Sequence, residues 1–239
     1  MSEWTPTKTT SNFVSSTDIL SLGRHALMLI SAVSMAITLY MVFLWVPTEQ
    51  NLGISQRIFY FHVPLGWIGM ISIVIVAIAS FMHLITGKSK WDSLAYATAE
   101  LGVIFATLIL VTGSIWAKPV WGVWWTWDAK LTTTLVLWFI YVSYLMIRAY
   151  GPSGTQGSRY ASVIALIGAI DAPIIYKATD WWRTAHPERN VPSDLDERML
   201  LTLLIAMLTF TLLYGNLLVE RYLLKKTESE LDILYKNSA

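Results

Sequence analysis

A chain of 239 residues that is 55% hydrophobic and 14% charged, with mean hydropathy +0.52, is built for a lipid environment. Soluble domains carry about 25% charged residues. The net charge of +1 removes any electrostatic case for nucleic acid as a partner. The absence of cysteine excludes disulfides, Cys-ligated zinc, iron–sulfur clusters and thiol redox chemistry within the chain. Residues 1–23 are polar and rich in Ser and Thr, with no apolar core ending in a small-residue cleavage site, so no signal peptide is expected.

Six apolar runs follow in order: 26–46, 63–85, 94–116, 131–147, 161–176 and 199–219. Each has about the length needed to cross roughly 30 Å of hydrocarbon as a helix. Each is continuously apolar instead of alternating, which favours helices over strands. The expected fold is all-α, an integral membrane protein of six transmembrane helices whose exterior faces membrane lipid. It is read as a single membrane domain, 1–239. Residues 1–23 form a tail, 24–222 the bundle with loops 116–130 and 177–198, and 223–239 a second tail. The fifth run is the shortest, and Asp171-Ala172-Pro173 interrupts it as if to open the helix toward a cavity.

Orientation follows the distribution of Lys and Arg near the span ends. Arg24, Lys88, Lys90, Arg148, Arg159, Arg221, Lys225 and Lys226 fall on one side, with the bias clearest around the two short loops. That side is expected to be cytoplasmic and to hold both termini. The other side would be periplasmic.

On that other side lies residues 116–128, reading Trp-Ala-Lys-Pro-Val-Trp-Gly-Val-Trp-Trp-Thr-Trp-Asp. Trp116, Trp121, Trp124, Trp125 and Trp127 are five of the chain's 12 tryptophans. Trp anchors membrane interfaces, which explains scattered residues such as Trp45, Trp67, Trp91 and Trp138. An interfacial belt does not concentrate five indoles in one connection. A slab of indole suits a partner protein or a planar aromatic cofactor. Gly122 and Asp128 add a tight backbone position and a charge at its edge.

Four histidines divide between the two sides. His25 and His83 sit at the cytoplasmic span ends, where an interfacial or capping role is the simplest reading. His62 opens the second span on the outer side, followed by Pro64, a residue tolerated at helix starts. His186 lies in the last outer loop before Pro187, which disfavours helical backbone there. Two imidazoles are too few for zinc unless carboxylates complete the shell. They suffice for heme iron, because the porphyrin supplies the other four nitrogens. The indole slab and the histidine pair therefore point to one ligand. Its propionates call for cations, and Arg57, Lys118 and Lys130 are on the correct side, Arg57 being nearest His62 in sequence. Two acids, Glu100 and Asp171, lie within spans, and such residues default to a functional role; the sequence assigns them none.

Residues 121–128, Trp-Gly-Val-Trp-Trp-Thr-Trp-Asp, resemble the tryptophan-rich "WWD" signature of membrane proteins that handle heme in cytochrome c maturation. With six spans and a His on either side, the whole chain resembles the heme exporter protein C (CcmC) family. Related WWD proteins such as CcmF have many more spans. The resemblance implies heme b held at the periplasmic face of a bacterial inner membrane, with His62 and His186 as axial ligands. It implies that Gly113, Trp116, Trp121, Gly122, Trp124, Trp125, Trp127 and Asp128 belong to the heme site, joined by Arg57 and Lys130. It further implies delivery to a periplasmic heme chaperone, CcmE, beside the ABC transporter subunits CcmA and CcmB and the small membrane protein CcmD. ATP hydrolysis would belong to the ATPase subunit, since this chain has no Walker motif, and no catalytic residue is expected. Lys130 stands where the family usually has Arg, and His186-Pro187 replaces the family's His-Gln. Two other classes compete: an electron-transfer cytochrome b subunit, which ligates heme between histidines within spans and often stacks two hemes, whereas both outer histidines here fall at span ends or in loops with no second aligned pair; and a solute permease, with Asp171 as its coupling residue.

Overall fold

The computed structural model describes residues 16–186 and 195–238. Among them the regular structure is helical: α1 (Ser16–Tyr40), α2 (Phe59–Thr86), α3 (Ser89–Trp121), α4 (Ala129–Tyr150), α5 (Thr155–Trp181) and α6 (Glu197–Ser238). A π-helical turn, Met41–Trp45, extends α1, and a 3₁₀ turn, Ile54–Ile58, leads into α2. Six helical segments are long and apolar enough to cross a membrane. Helices are the natural outcome, because a lipid-facing backbone must satisfy its own N–H and C=O groups. The hydroxyls of α3 follow the same rule. Thr98, Thr107 and Ser114 donate to the carbonyls of Leu94, Val103 and Leu110, four residues back, so no polar atom of theirs is stranded.

The centre of the bundle is an antiparallel hairpin of α2 and α3, turned at Gly87, whose φ of 65° suits glycine. The α4–α5 pair packs on one side of it and the α1–α6 pair on the other. Small residues set the close approaches. A Cβ on Gly102 of α3 would come within 2.8 Å of the Tyr141 ring of α4, and one on Gly168 of α5 within 2.8 Å of Ile140. Such glycines let membrane helices pack without a hydrophobic driving force between them. Buried hydrogen bonds finish the other side: Thr38 of α1 meets Thr209 of α6 at 2.8 Å, and Ser72 of α2 donates to the Tyr214 hydroxyl at 3.0 Å. Leu29, Ile37, Val74, Ile104 and Leu204 remain exposed and form the apolar exterior, facing lipid in a multi-pass membrane protein.

The structure departs from the sequence expectation at three places. The second span starts at Ile54, not 63, so His62 lies inside it and Pro64 is past its first turn. Gln56 makes this possible, since its amide is buried and donates to the Tyr60 hydroxyl at 2.7 Å. The stretch expected to be loop from Trp116 stays helical through Trp121, so the connection proper is 122–128. Asp171-Ala172-Pro173 does not open α5, which runs unbroken to Trp181. The tail after Arg221 is helical, as its leucines and isoleucine spaced among charges suggest, and it continues α6, braced by the Lys225–Glu228 pair. Arg24 of α1 donates to Glu220 of α6 at 2.7 Å, so the first and last helices have their outer ends on the same side, away from the Trp-rich connection.

Candidate functional site

His62 is half-buried on α2 and faces α3. Its Nδ1 lies 2.9 Å from the Thr112 hydroxyl. Gly113, the next residue on α3, lies against the ring: a Cβ there would stand 3.1 Å from His62 Cε1 and 3.7 Å from Nδ1. The absence of a side chain at 113 is thus what lets the imidazole sit where it does. Gly122 serves differently. Nothing lies near its missing Cβ, but its φ of 77° ends α3 in the left-handed conformation.

His186 comes from the irregular backbone after α5, whose C-cap is Trp182. Its backbone N–H donates to the Thr184 hydroxyl at 3.1 Å. Its ring centre lies 6.5 Å from that of His62, the planes tilted by 38°. The structure therefore brings together two histidines separated by three spans. Lys130, on the first turn of α4, is an electrostatic neighbour of His62.

The indoles form edge-to-face pairs around this end of the bundle. Trp116 and Trp121 are 5.5 Å apart on α3, Trp125 and Trp127 5.8 Å apart in the connection, and Trp181 and Trp182 5.8 Å apart at the end of α5. They divide by exposure. Trp124 and Trp127 are 59% and 76% exposed, whereas Trp116, Trp121 and Trp125 are partly buried. The buried ring nitrogens of Trp116 and Trp125 have no hydrogen-bond partner, and neither has Nε of Arg57 on the 3₁₀ turn. Three orphaned donors and one orphaned acceptor, Gln56 Oε1, thus lie toward one end of the molecule, leaving an excess of donors there.

Asp128 is occupied locally. Its Oδ1 accepts from the Leu131 N–H at 3.0 Å as the N-cap of α4, and its Oδ2 accepts from the Thr126 hydroxyl at 3.3 Å. Lys118 donates to the Gly122 carbonyl at 2.9 Å, closing the end of α3. The remaining histidines are held apart from this cluster. His25 donates from Nδ1 to the Ser21 carbonyl at 2.7 Å, and His83 Nε2 lies 3.0 Å from Ser158 Oγ, joining α2 to α5. Glu100 pairs with Arg221, which donates through Nη2 to Oε1 at 3.0 Å and through Nε to Oε2, tying α3 to α6. Asp171 is 7% exposed, with Oδ2 unpartnered. Thr112 was not among the residues singled out by the sequence. Its only signal there is a hydroxyl four residues from Trp116 on the same helical face.

The sequence model of the heme exporter protein C family matches residues 8–233. Heme exporter protein C of Bradyrhizobium diazoefficiens is 36% identical over 191 residues, covering 78% of this chain and 72% of that protein. Its counterpart in Escherichia coli K12 is 33% identical over 195 residues, 80% of each chain. A protein of Marchantia polymorpha described as a putative cytochrome c biosynthesis ccmC-like mitochondrial protein is 32% identical over 176 residues, 72% of this chain and 75% of that one. A match running through both histidines, the indole connection and all six helices assigns the chain to the heme exporter protein C (CcmC) family.

Proposed function

We propose that this protein holds heme b at the outer, periplasmic face of a bacterial inner membrane and passes it to the chaperone CcmE for cytochrome c maturation. The observation that carries this reading is the 6.5 Å between the His62 and His186 ring centres. An imidazole nitrogen binds a first-row metal at about 2 Å, so two imidazoles in line through one metal have ring centres roughly 6–7 Å apart. Heme enters as cargo, and the residues present suit it. The iron takes the two imidazoles, while Trp116, Trp125 and Arg57 offer buried N–H donors with no partner in the protein. The propionate carboxylates are acceptors of the right charge, with Lys130 close to His62. Trp121 packs edge-on against Trp116 and holds its plane.

The division of the indoles by exposure supports a handover. Partly buried Trp116, Trp121 and Trp125 are placed to grip the macrocycle. Exposed Trp124 and Trp127 offer a rigid aromatic surface to a protein partner. Asp128 and Gly122 fix the ends of the connection that carries them. The chain's contribution is orientation, a held iron and a presented edge, and it uses no catalytic residue. CcmA, CcmB and CcmD are the further partners this role implies, with ATP hydrolysis left to CcmA.

The test is the absorption spectrum of the purified full chain with His62→Ala, His186→Ala and both. Each single change lowers the Soret band and the double change abolishes it. Unchanged heme content in the double variant overturns the reading.

A further inference from the structure

An imidazole binds a metal through whichever ring nitrogen lacks a proton, and the hydrogen bond made by the other nitrogen decides which that is. Among the described residues, the His62 Nδ1 is hydrogen-bonded to the Thr112 hydroxyl at 2.9 Å. A hydroxyl has one proton and two lone pairs. The Thr112 oxygen also lies 2.7 Å from the Leu108 carbonyl and 3.3 Å from that of Ile109, the back-bonded geometry of a helical threonine. A carbonyl accepts and never donates, so the threonine proton is directed to Leu108. With the proton so directed, the lone pairs that remain face His62, and the geometry favours Nδ1 as the donor.

We propose that Thr112 is the positioning residue of the site, fixing His62 in the Nδ1–H tautomer so that Nε2 presents its lone pair. Rotation of the ring about its Cβ–Cγ bond would break the bond to Thr112, and a carbon at 113 would leave no room for the ring as placed. Thr112 and Gly113 thus act on the same ring from adjacent positions of one helix, the first through its proton and the second through its plane. A donor bond from Nδ1 also makes Nε2 a stronger electron donor, and the loss of such a support typically costs 10–100-fold in metal affinity. The inference rests on the reading of His62 as a heme ligand, but its first consequence belongs to the heme-free protein.

The test uses the full chain labelled with ¹⁵N-histidine, free of heme, with the His62 resonances assigned by their loss in His62→Gln. In the unsubstituted protein Nδ1 is protonated and Nε2 is not. Thr112→Val, of nearly equal volume, removes the acceptor and shifts the proton toward Nε2, while Thr112→Ser keeps the original pattern. In heme titrations Thr112→Val binds about 10–100-fold more weakly and the midpoint potential of the bound heme rises, and Thr112→Ser restores both. A His62 already protonated on Nε2 in the unsubstituted protein, or a tautomer unmoved by Thr112→Val, overturns the proposal. Full heme binding by His62→Ala beside an Nδ1-protonated His62 instead sinks the heme-ligand reading and leaves the tautomer assignment standing.

Discussion

Gly113→Ala tests how tightly the His62 ring is held. The new Cβ would stand 3.1 Å from His62 Cε1. Ordinary carbon contacts begin near 3.4 Å, so the ring must withdraw by about 0.3–0.5 Å. A withdrawal of about 0.5 Å directed away from α3 would stretch the 2.9 Å contact with Thr112 to about 3.4 Å, outside the usual hydrogen-bond range. Ligand constellations need placement within about 0.5 Å, and losing a supporting contact costs about 10–100-fold in metal affinity. Helix stability moves the other way, because Ala is favoured over Gly by about 0.5–1 kcal/mol within a helix. The expected result is therefore a protein that melts within a few degrees of the original yet binds heme at least about 10-fold more weakly. Soret titration of the detergent-solubilised full chain reads the affinity, and thermal unfolding of the heme-free chain reads the fold. Gly66→Ala is the control, since Gly66 lies one turn from His62 on α2 with nothing within 4 Å of its missing Cβ. Unaltered affinity in Gly113→Ala, or an equal loss in Gly66→Ala, refutes the reasoning.

Asp128→Ala removes the N-cap of α4, at a cost of about 0.5–2 kcal/mol, and lowers heme loading by loosening the connection. Asp128→Asn keeps a capping oxygen and retains loading; if Asn is as damaging as Ala in the same spectral assay, the carboxylate charge matters in its own right. Glu100→Gln destabilises the fold by about 1–3 kcal/mol, seen as a lower melting temperature with an unaltered heme spectrum; a spectral change would mean that the α3–α6 clasp reaches the site. His62, carried by a helix and backed by Thr112 and Gly113, is the less replaceable ligand: His186→Ala retains weakly bound, five-coordinate high-spin heme, His62→Ala retains less, and the reverse order of heme content counts against this asymmetry.

The six spans were legible because each is a long apolar run, and hydropathy is the signal that the lipid environment imposes. Their ends were not, because they depend on side-chain partners. Gln56 reads as a polar residue outside the membrane until its bond to Tyr60 is known. Trp116 and Trp121 suggest an interfacial loop, yet Gly122 is where the helical backbone turns off. Pro173 looked like a break, although proline is tolerated in a membrane helix where neighbours and waters satisfy the freed carbonyl. At the site, the histidines, glycines and indoles could be named from a signature. The contact that orders them could not, since Thr112 and His62 are 50 positions apart. Glu100 shows the same limit: its partner Arg221 is 121 positions away, and an intramembrane acid that suggested function is part of a clasp.

The placement of ion pairs and of unpartnered donors bears on what the indole end of the bundle does. Among the described residues, the ion pairs that join different helices are Arg24–Glu220 between α1 and α6, Arg148–Asp92 between α4 and α3, and Arg221–Glu100 between α6 and α3. All lie toward the end away from the indoles. At the indole end Lys177–Asp180 lies within α5, and the bond of His62 to Thr112 ties α2 to α3. That same end has the unpartnered donors of Arg57, Trp116 and Trp125. A buried donor left without an acceptor costs about 1–3 kcal/mol, so these groups would be a liability in a purely structural role. They become an asset if a carboxylate-bearing ligand supplies the acceptors.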